Sequence, residues 1–164
     1  MSAPDLAAAA TVIDIASGVV DAATRRLAAA GSIDDHQVLA YDLAHAAAVA
    51  TAEGLLDYGA KGDLEGRITC AFVADAVGEL AGKVFGREDD WGVEPGAFDG
   101  TRAFVGTYRA PEFLAGIADP GPRHLDDDFE MVQDTFRRFA EEKLKPIAEH
   151  IHRTNGDIPE DIIE

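Results

Sequence analysis

The sequence predicts an all-α protein: an antiparallel helical bundle of three long helices, a short helical lid and then one kinked helix. Apolar residues recur at helical spacing through each of the long segments. Alanine, the best helix former, is very frequent in the first half of the chain. The short segment Tyr58–Asp63 separates two such segments, and a connection of this length makes the joined helices antiparallel neighbours.

Residues 3–30 are predicted to form the first helix. Ser2 and Asp5 have the spacing of a capping box, and Pro4 would fit in the first turn, where its missing amide does no harm. Apolar and small residues alternate along a heptad seam: Leu6, Ala9, Ile13, Ala16, Val20, Ala23, Leu27 and Ala30. This seam fits an intramolecular bundle helix, and a self-association helix is the alternative. Gly31 is expected to end the helix.

Two long helices between His36 and Gly86 form the predicted central hairpin. Gly59 and Gly62 would supply left-handed backbone in the turn, and Asp63 would accept hydrogen bonds from the first amides of the next helix. Glycines within the helices are expected to mark close packing: Gly54, Gly66, Gly78 and Gly82. Gly86 should end the third helix, before a solvated charge run at 87–90.

Residues 91–125 have an irregular composition that predicts short helices near 101–108 and 111–118, with Pro111 in the first position of the second. An aromatic group spans Trp91–Phe113 and is interpreted as a lid over the open end of the bundle. Its members are Trp91, Phe98, Phe104, Tyr108 and Phe113. Residues 119–125 contain two prolines around a glycine, which predicts a linker between a domain at 1–118 and a second segment at 126–164.

The last segment is predicted to be a helix that starts at the aspartates Asp126–Asp128, where the helix dipole favours negative charge. A helical stripe of apolar residues follows: Phe129, Val132, Phe136, Phe139, Ala140, Leu144, Ile147 and Ile151. Glu141 and Lys145 form an i, i+4 pair, and Pro146 predicts a bend. Asn155-Gly156 predicts a turn, after which 158–164 would begin a helix that has no room to finish, as in a truncated chain.

Charge and composition exclude several classes of function. The formal net charge is −17, divided as −6, −3 and −8 over residues 1–60, 61–110 and 111–164. With no basic segment, neither nucleic acid nor an anionic membrane surface is an expected partner, and we see no secretory peptide or membrane-spanning run. The single cysteine excludes an intrachain disulfide. We therefore expect a soluble, cytoplasmic protein.

No catalytic, cofactor-binding or metal-ligating residue can be assigned from the residues alone. His45 is interpreted as a packed or partly exposed side chain, and His36 and His124 as solvent-facing. His150 and His152 would point about 200° apart on a helix, so they cannot share a metal.

The cysteine and the acidic residues are the remaining candidates. Cys70 is interpreted as a core residue and Asp126–Asp128 as a solvated cap. Asp42, Glu53 and Asp57 could form an acidic face, without a paired carboxylate that must be catalytic.

Two stretches resemble the acyl-CoA dehydrogenase family of flavoproteins. Residues 40–86, with Tyr41-Asp42-Leu43-Ala44 and Ala71-Phe72-Val73-Ala74-Asp75-Ala76, resemble the helical hairpin of the family's C-terminal domain. Residues 129–164, with Phe139-Ala140, Pro146 and Ile158-Pro159, are similar to the first helices of its N-terminal domain. The order of the two stretches is the reverse of the family's, which implies a leading helical domain followed by the start of a complete dehydrogenase module in a longer protein.

The resemblance implies α,β-dehydrogenation of an acyl-CoA thioester with FAD as cofactor. Both the reaction and FAD binding would require the missing module, and the present residues alone would be inactive. The expected partners are the catalytic module of the same protein or a second subunit, with a homo-oligomer as the expected assembly. The alternative is a stand-alone helical interaction or oligomerisation module without enzymatic activity. A third reading places a small-ligand pocket under the lid, at Trp91–Tyr108.

Overall fold

A computed structural model describes residues 2–118 and 125–163. The chain divides into two compact units, 1–121 and 122–164, which are described separately. Most of the predicted linker, including His124, lies outside the described residues.

The described residues are helical and contain no strand, which confirms the all-α prediction. The first unit contains α1 (Leu6–Ala29), α2 (Gln37–His45), α3 (Ala47–Gly54), α4 (Leu56–Gly59), α5 (Asp63–Val84), α6 (Glu88–Trp91), α7 (Arg102–Tyr108) and α8 (Pro111–Ala115). Two short 3₁₀ turns precede α2 and α7, at Asp34–His36 and Asp99–Thr101. The second unit contains α9 (Asp127–Phe139), a π-helical turn (Ala140–Leu144), α10 (Lys145–Thr154) and α11 (Glu160–Ile163).

Helix α1 begins three residues later than predicted. Asp5 is the N-cap, and its carboxylate accepts from the Ala8 amide at 2.9 Å, so Pro4 lies before the helix. Three of the four small residues of the heptad seam, Ala9, Ala16 and Ala23, are buried in the core, whereas Ala30 is exposed at the C-cap. Gly31 adopts a left-handed φ of +81° after the helix ends, as predicted.

The predicted second long helix is three consecutive shorter helices, α2 to α4. At Ala46 the amide is shared between the carbonyls of Asp42 and Leu43, which tightens the turn locally. At Leu55, next to the poor helix former Gly54, the carbonyl accepts from Gly59 and also from the Thr69 hydroxyl of α5. The prediction of a single long helix was therefore wrong, because the short-range periodicity of a sequence does not show such tertiary hydrogen bonds.

The turn between α4 and α5 also differs from the prediction. Gly59 ends α4 with a negative φ, and Gly62 is extended at −176°, so neither supplies left-handed backbone. Asp63 does not cap α5; its carboxylate pairs with Arg67 at 2.6 Å. Gly59 is needed for close approach instead, because a Cβ there would lie 2.8 Å from the Thr69 hydroxyl.

Helix α5 lies at the centre of the first unit and contributes the fully buried Cys70, Val73, Ala74 and Val77. It runs in the same direction as α1: Pro4, just before α1, lies against Gly66 in the first turn of α5, and Arg26, near the end of α1, lies against Gly92, which follows α5 and α6. The segment α2–α4 runs in the opposite direction, because Asp42 pairs with Lys83 whereas Leu55 contacts Thr69.

Only some glycines within the helices mark close packing. A Cβ at Gly66 would lie 3.0 Å from Pro4, and one at Gly78 would lie 2.5 Å from Nη1 of Arg109. A Cβ at Gly54 or Gly82 would meet nothing within 4 Å, so the prediction of close packing was wrong there.

The aromatic group adds a layer along the side of α5. Rings of Phe104 and Tyr108 lie 4.5 Å apart, and those of Tyr108 and Phe113 lie 4.9 Å apart edge-to-face. The Tyr108 hydroxyl donates to the carbonyl of Ala3 at 2.9 Å, which ties α7 to the start of the chain. Trp91 is fully buried on α6, which packs on α1. Helix α7 therefore lies alongside α5 and α1, unlike a lid that closes one end of a bundle.

The second unit follows the sequence prediction closely. Asp126 is the N-cap of α9 and accepts from the Phe129 amide at 3.0 Å. Lys145 and Glu141 pair at 2.6 Å. Asn155 adopts left-handed backbone at φ +50° and ends α10.

Helix α1 is long and apolar enough to cross a membrane by length and composition alone. A third of its most apolar window is buried inside the protein, and core helices meet the same two criteria. Its buried residues pack into the hydrophobic core with those of α5.

Candidate functional site

An exposed apolar helix face is the most prominent functional candidate in the second unit. We call it the apolar stripe: Phe129, Val132, Phe136, Phe139, Leu144, Ile147 and Ile151. Phe129 and Phe136 are 63% and 68% exposed, and no residue described between 125 and 163 is buried. Large apolar side chains at this level of exposure are typical of interaction surfaces, which makes the stripe a candidate contact site.

The π-helical turn at Ala140–Leu144 keeps the apolar stripe continuous. Pro146 has no amide to donate to the carbonyl four residues earlier, and its ring crowds that carbonyl. The structure accommodates the proline with a wider turn, in which residues five apart are hydrogen-bonded. Phe139 and Leu144, which are five apart, can therefore share one face.

Charged residues of the same helices form ion pairs between residues four apart. Besides the Lys145–Glu141 pair, Arg153 and Glu149 pair at 2.7 Å. Both pairs are well exposed, so they contribute little to stability and mainly keep the outer face soluble. The stripe is therefore a candidate docking surface, and its apolar side chains supply no acid, base or nucleophile.

A charge cluster joins α2 to the end of α5, at Asp42. The Asp42 carboxylate is largely buried and pairs with Arg87 at 2.6 Å and with Lys83 at 3.2 Å. Burial raises the pKa of the Asp42 carboxyl, but hydrogen bonds and charge from Arg87 and Lys83 outweigh it, so its pKa lies below the ordinary value.

This cluster corrects two sequence interpretations. Asp42 is not part of a solvated acidic face with Glu53 and Asp57, which are exposed. The charge run that starts at Arg87 is partly structural, because Arg87 holds the buried carboxylate and 88–91 form α6. The pairing partners are 41 and 45 residues apart in sequence, so no local signal could have found them.

Cys70 is a buried core residue, as predicted. Burial raises the pKa of its thiol, which keeps the thiol protonated and poorly nucleophilic. Burial likewise raises the pKa of the Tyr108 hydroxyl, which donates to Ala3. Neither group is placed to act as an activated nucleophile or base.

The histidines are dispersed over the described residues. His45 is exposed and contacts the Tyr41 ring edge-to-face at 4.5 Å, and His36, His150 and His152 are also exposed. Asp126 serves as an N-cap, as described above. Among the residues that the structure describes, no three His, Cys, Asp or Glu side chains are grouped so as to hold a metal ion.

A cleft between α5 and α7 is a second candidate site. It has a volume of about 440 Å³ and lies beside the aromatic group, where the sequence suggested a small-ligand pocket. Its walls come from α5, the loop before α7 and α7 itself.

Comparison with known proteins gives one partial match. The chain is 43% identical over 49 residues to (2S)-methylsuccinyl-CoA dehydrogenase of Cereibacter sphaeroides, an acyl-CoA dehydrogenase. The matched segment is 30% of this chain and 9% of that protein. No family model matches the chain, and no solved structure matches it. The similarity supports the acyl-CoA dehydrogenase family only weakly.

Proposed function

We propose that this chain is part of a flavin-dependent acyl-CoA dehydrogenase-like oxidoreductase, in which the present residues form a non-catalytic packing or assembly domain. The observation that carries the proposal is the 43% identity over 49 residues to an acyl-CoA dehydrogenase. Because the match spans only 9% of that protein, the reaction, an α,β-dehydrogenation of an acyl-CoA thioester, is assigned to the enzyme as a whole.

The exposed apolar stripe supports the proposal that these residues pack against a separate catalytic module. In this proposal 126–164 begins the helical domain of the dehydrogenase module, and the rest of the module covers the stripe. A stripe with aromatic side chains more than 60% exposed is costly in water and is stabilised when a partner surface buries it. Residues 1–118 form the accessory domain, which packs on that module or on a second subunit.

The described residues do not fit FAD, the cofactor that acyl-CoA dehydrogenases generally use. No side chain described in 125–163 is buried, so these residues offer no enclosed cradle. In 2–118 the buried Asp42, Thr69 and Thr101 already bond to groups of this chain. We therefore assign FAD to the part of the proposed enzyme that lies outside these residues.

The test compares three proteins: the gene's full product, the same product without residues 1–118, and the present chain alone. The full product should bind flavin, show its visible spectrum, and reduce a dye in the presence of acyl-CoA. The present chain alone should be colourless. A full product without flavin would contradict the dehydrogenase proposal.

The same three proteins also test the accessory role of residues 1–118. Loss of residues 1–118 should change the molar mass in solution or the thermal stability, with flavin reduction by acyl-CoA retained in the protein that still folds. Complete loss of reduction in a folded, flavin-loaded protein would contradict a non-catalytic role.

A stand-alone helical interaction module is the second candidate, and the exposed apolar stripe favours it. It would bind a partner or a second copy without any flavin. Light scattering separates the two: a full product that self-associates through the stripe but never contains flavin supports the module, and a flavoprotein supports the enzyme.

A further inference from the structure

The cleft between α5 and α7 has an apolar body. Small residues form its floor, with Gly78 and Ala81 on α5 and Gly106 on α7, so no large side chain fills the space. Phe85 and Phe98 line it, and Phe85 is 85% exposed. A volume of about 440 Å³ is within the range of small-molecule sites.

The charged side chains that line the cleft differ in where their hydrogen-bond partners lie. The Glu88 carboxylate accepts from the Gly86 amide at 3.1 Å, and Asp99 pairs with Arg102 at 2.9 Å. Both acidic side chains that line the cleft are therefore engaged by neighbouring groups. Arg109 differs, because its carboxylate partner, Asp75, is not a lining residue.

The Arg109 guanidinium is held over the cleft floor. Its Nη2 pairs with Asp75 at 3.2 Å, and both side chains are about half exposed. Its Nη1 lies across Gly78, 2.5 Å from where a Cβ would stand. Glycine at 78 thus lets the guanidinium approach α5 closely through Nη1, at the edge of an apolar space.

We propose that this cleft binds a small amphipathic carboxylate, with its apolar or aromatic body between Phe85 and Phe98 and its carboxylate on Arg109. The guanidinium presents two parallel donors, which match the two oxygens of a carboxylate. The present pair with Asp75 is solvent-exposed and weak, so a bound carboxylate can replace it.

The charge of the whole chain restricts the ligand further. A net charge of −17 repels polyanions, whereas a single negative charge met by one guanidinium pays a smaller penalty. The site therefore favours monoanions with substantial apolar surface over polyphosphates or short polar acids.

The experiment titrates the intact chain with 3-phenylpropanoate and with the uncharged 3-phenylpropan-1-ol, followed by amide chemical shifts and calorimetry. We expect shifts centred on 78–109 and about tenfold tighter binding of the acid, because only the acid has a carboxylate that can pair with Arg109. Equal affinity for acid and alcohol, or shifts confined to 127–154, would refute the proposal.

Two substitutions test whether Arg109 binds the carboxylate and whether Asp75 competes with it. Arg109→Gln should abolish the preference for the acid, and Asp75→Asn should strengthen acid binding because it removes the competing carboxylate. Unchanged acid binding in both variants would count against Arg109 as the anchor.

A pair of glycine variants on α5 gives a matched control. Gly78→Ala places a methyl group where Nη1 of Arg109 lies, and the flexible arginine can swing away without unfolding the helix. Gly82→Ala adds the same methyl group into open space one turn later. We expect at least fivefold weaker acid binding for Gly78→Ala and wild-type affinity for Gly82→Ala; equal affinities would contradict the assigned pose.

Discussion

Asp42 shows how a single residue can stabilise a contact between distant segments. Its carboxylate is largely buried, and two cations from the end of α5 and the start of α6 compensate its charge. Because Lys83 and Arg87 are each about a third exposed, they can rehydrate if the carboxylate is removed. The cluster is therefore a moderate rather than a large source of stability.

Asp42→Asn should lower the free energy of unfolding at neutral pH by about 1–2 kcal/mol. The pKa of this carboxyl is lowered on folding, so its contribution is complete above the unfolded pKa of about 3.9 and disappears as the pH falls through the folded value. Urea titrations at pH 7 and pH 3 measure the difference. Asp75→Asn, in an exposed pair, is the control and should have little effect.

Trp91 is fully buried, yet its indole Nε1 has no hydrogen-bond partner among the described residues. Trp91→Phe removes this unsatisfied donor while it keeps most of the apolar volume. We expect it to cost under about 2 kcal/mol, against about 3–5 kcal/mol for Trp91→Ala. Thermal unfolding followed by circular dichroism measures both; equal losses would contradict this expectation.

At the scale of elements, packing between helices decides where glycine is required. Gly59 and Gly66 lie where α4, α5 and the segment before α1 approach closely. Arg67 strengthens the same corner, because it donates to the Ser2 carbonyl at 3.2 Å and lies 6.0 Å from the Phe113 ring centre. A helix-propensity scale alone would give all the helical glycines the same value.

Gly66→Ala should destabilise the protein, although alanine favours a helix by about 1 kcal/mol, because the new methyl group would crowd Pro4 and the Gly59 carbonyl. Gly82→Ala should stabilise it by up to about 1 kcal/mol, since the methyl group meets nothing within 4 Å. Midpoints of thermal unfolding compare the two. Equal shifts of the same sign would contradict the packing argument.

These elements also show what can be predicted from local sequence. The C-terminal end of α1, the bounds of α7, the cap at Asp126 and the turn at Asn155 depend on nearby residues and agree closely with the prediction. The breaks at Ala46 and Leu55 were missed, since at Leu55 a distant hydroxyl competes for the backbone carbonyl. The Asp42 cluster was missed for the same reason, since its members are far apart in sequence. For the cleft, the sequence suggested a pocket at Trp91–Tyr108 but not the α5 residues that line it.

At the scale of the whole molecule, the two units differ in how they bury surface. The first has a continuous core built around α1 and α5, whereas the second contains no buried residue among those described. Helices without a buried face gain little from packing, and isolated short helices are marginal in water. In the proposed enzyme, the surface that covers the apolar stripe would stabilise the second unit.

Limited proteolysis of the present chain should cut within 127–154 well before it cuts within α1 or α5. Mass spectrometry of the early fragments identifies the sites. Protection of 127–154 should appear in the gene's full product if the dehydrogenase module covers the apolar stripe. Early cleavage inside α5 instead would contradict the assigned difference between the units.

The chain has one tryptophan, at position 91, and it lies in the first unit. Tryptophan fluorescence therefore reports the unfolding of 2–118 alone. Far-ultraviolet circular dichroism reports the loss of helix in both units together. Comparing the two optical traces during heating separates the melting of each half without cutting the polypeptide.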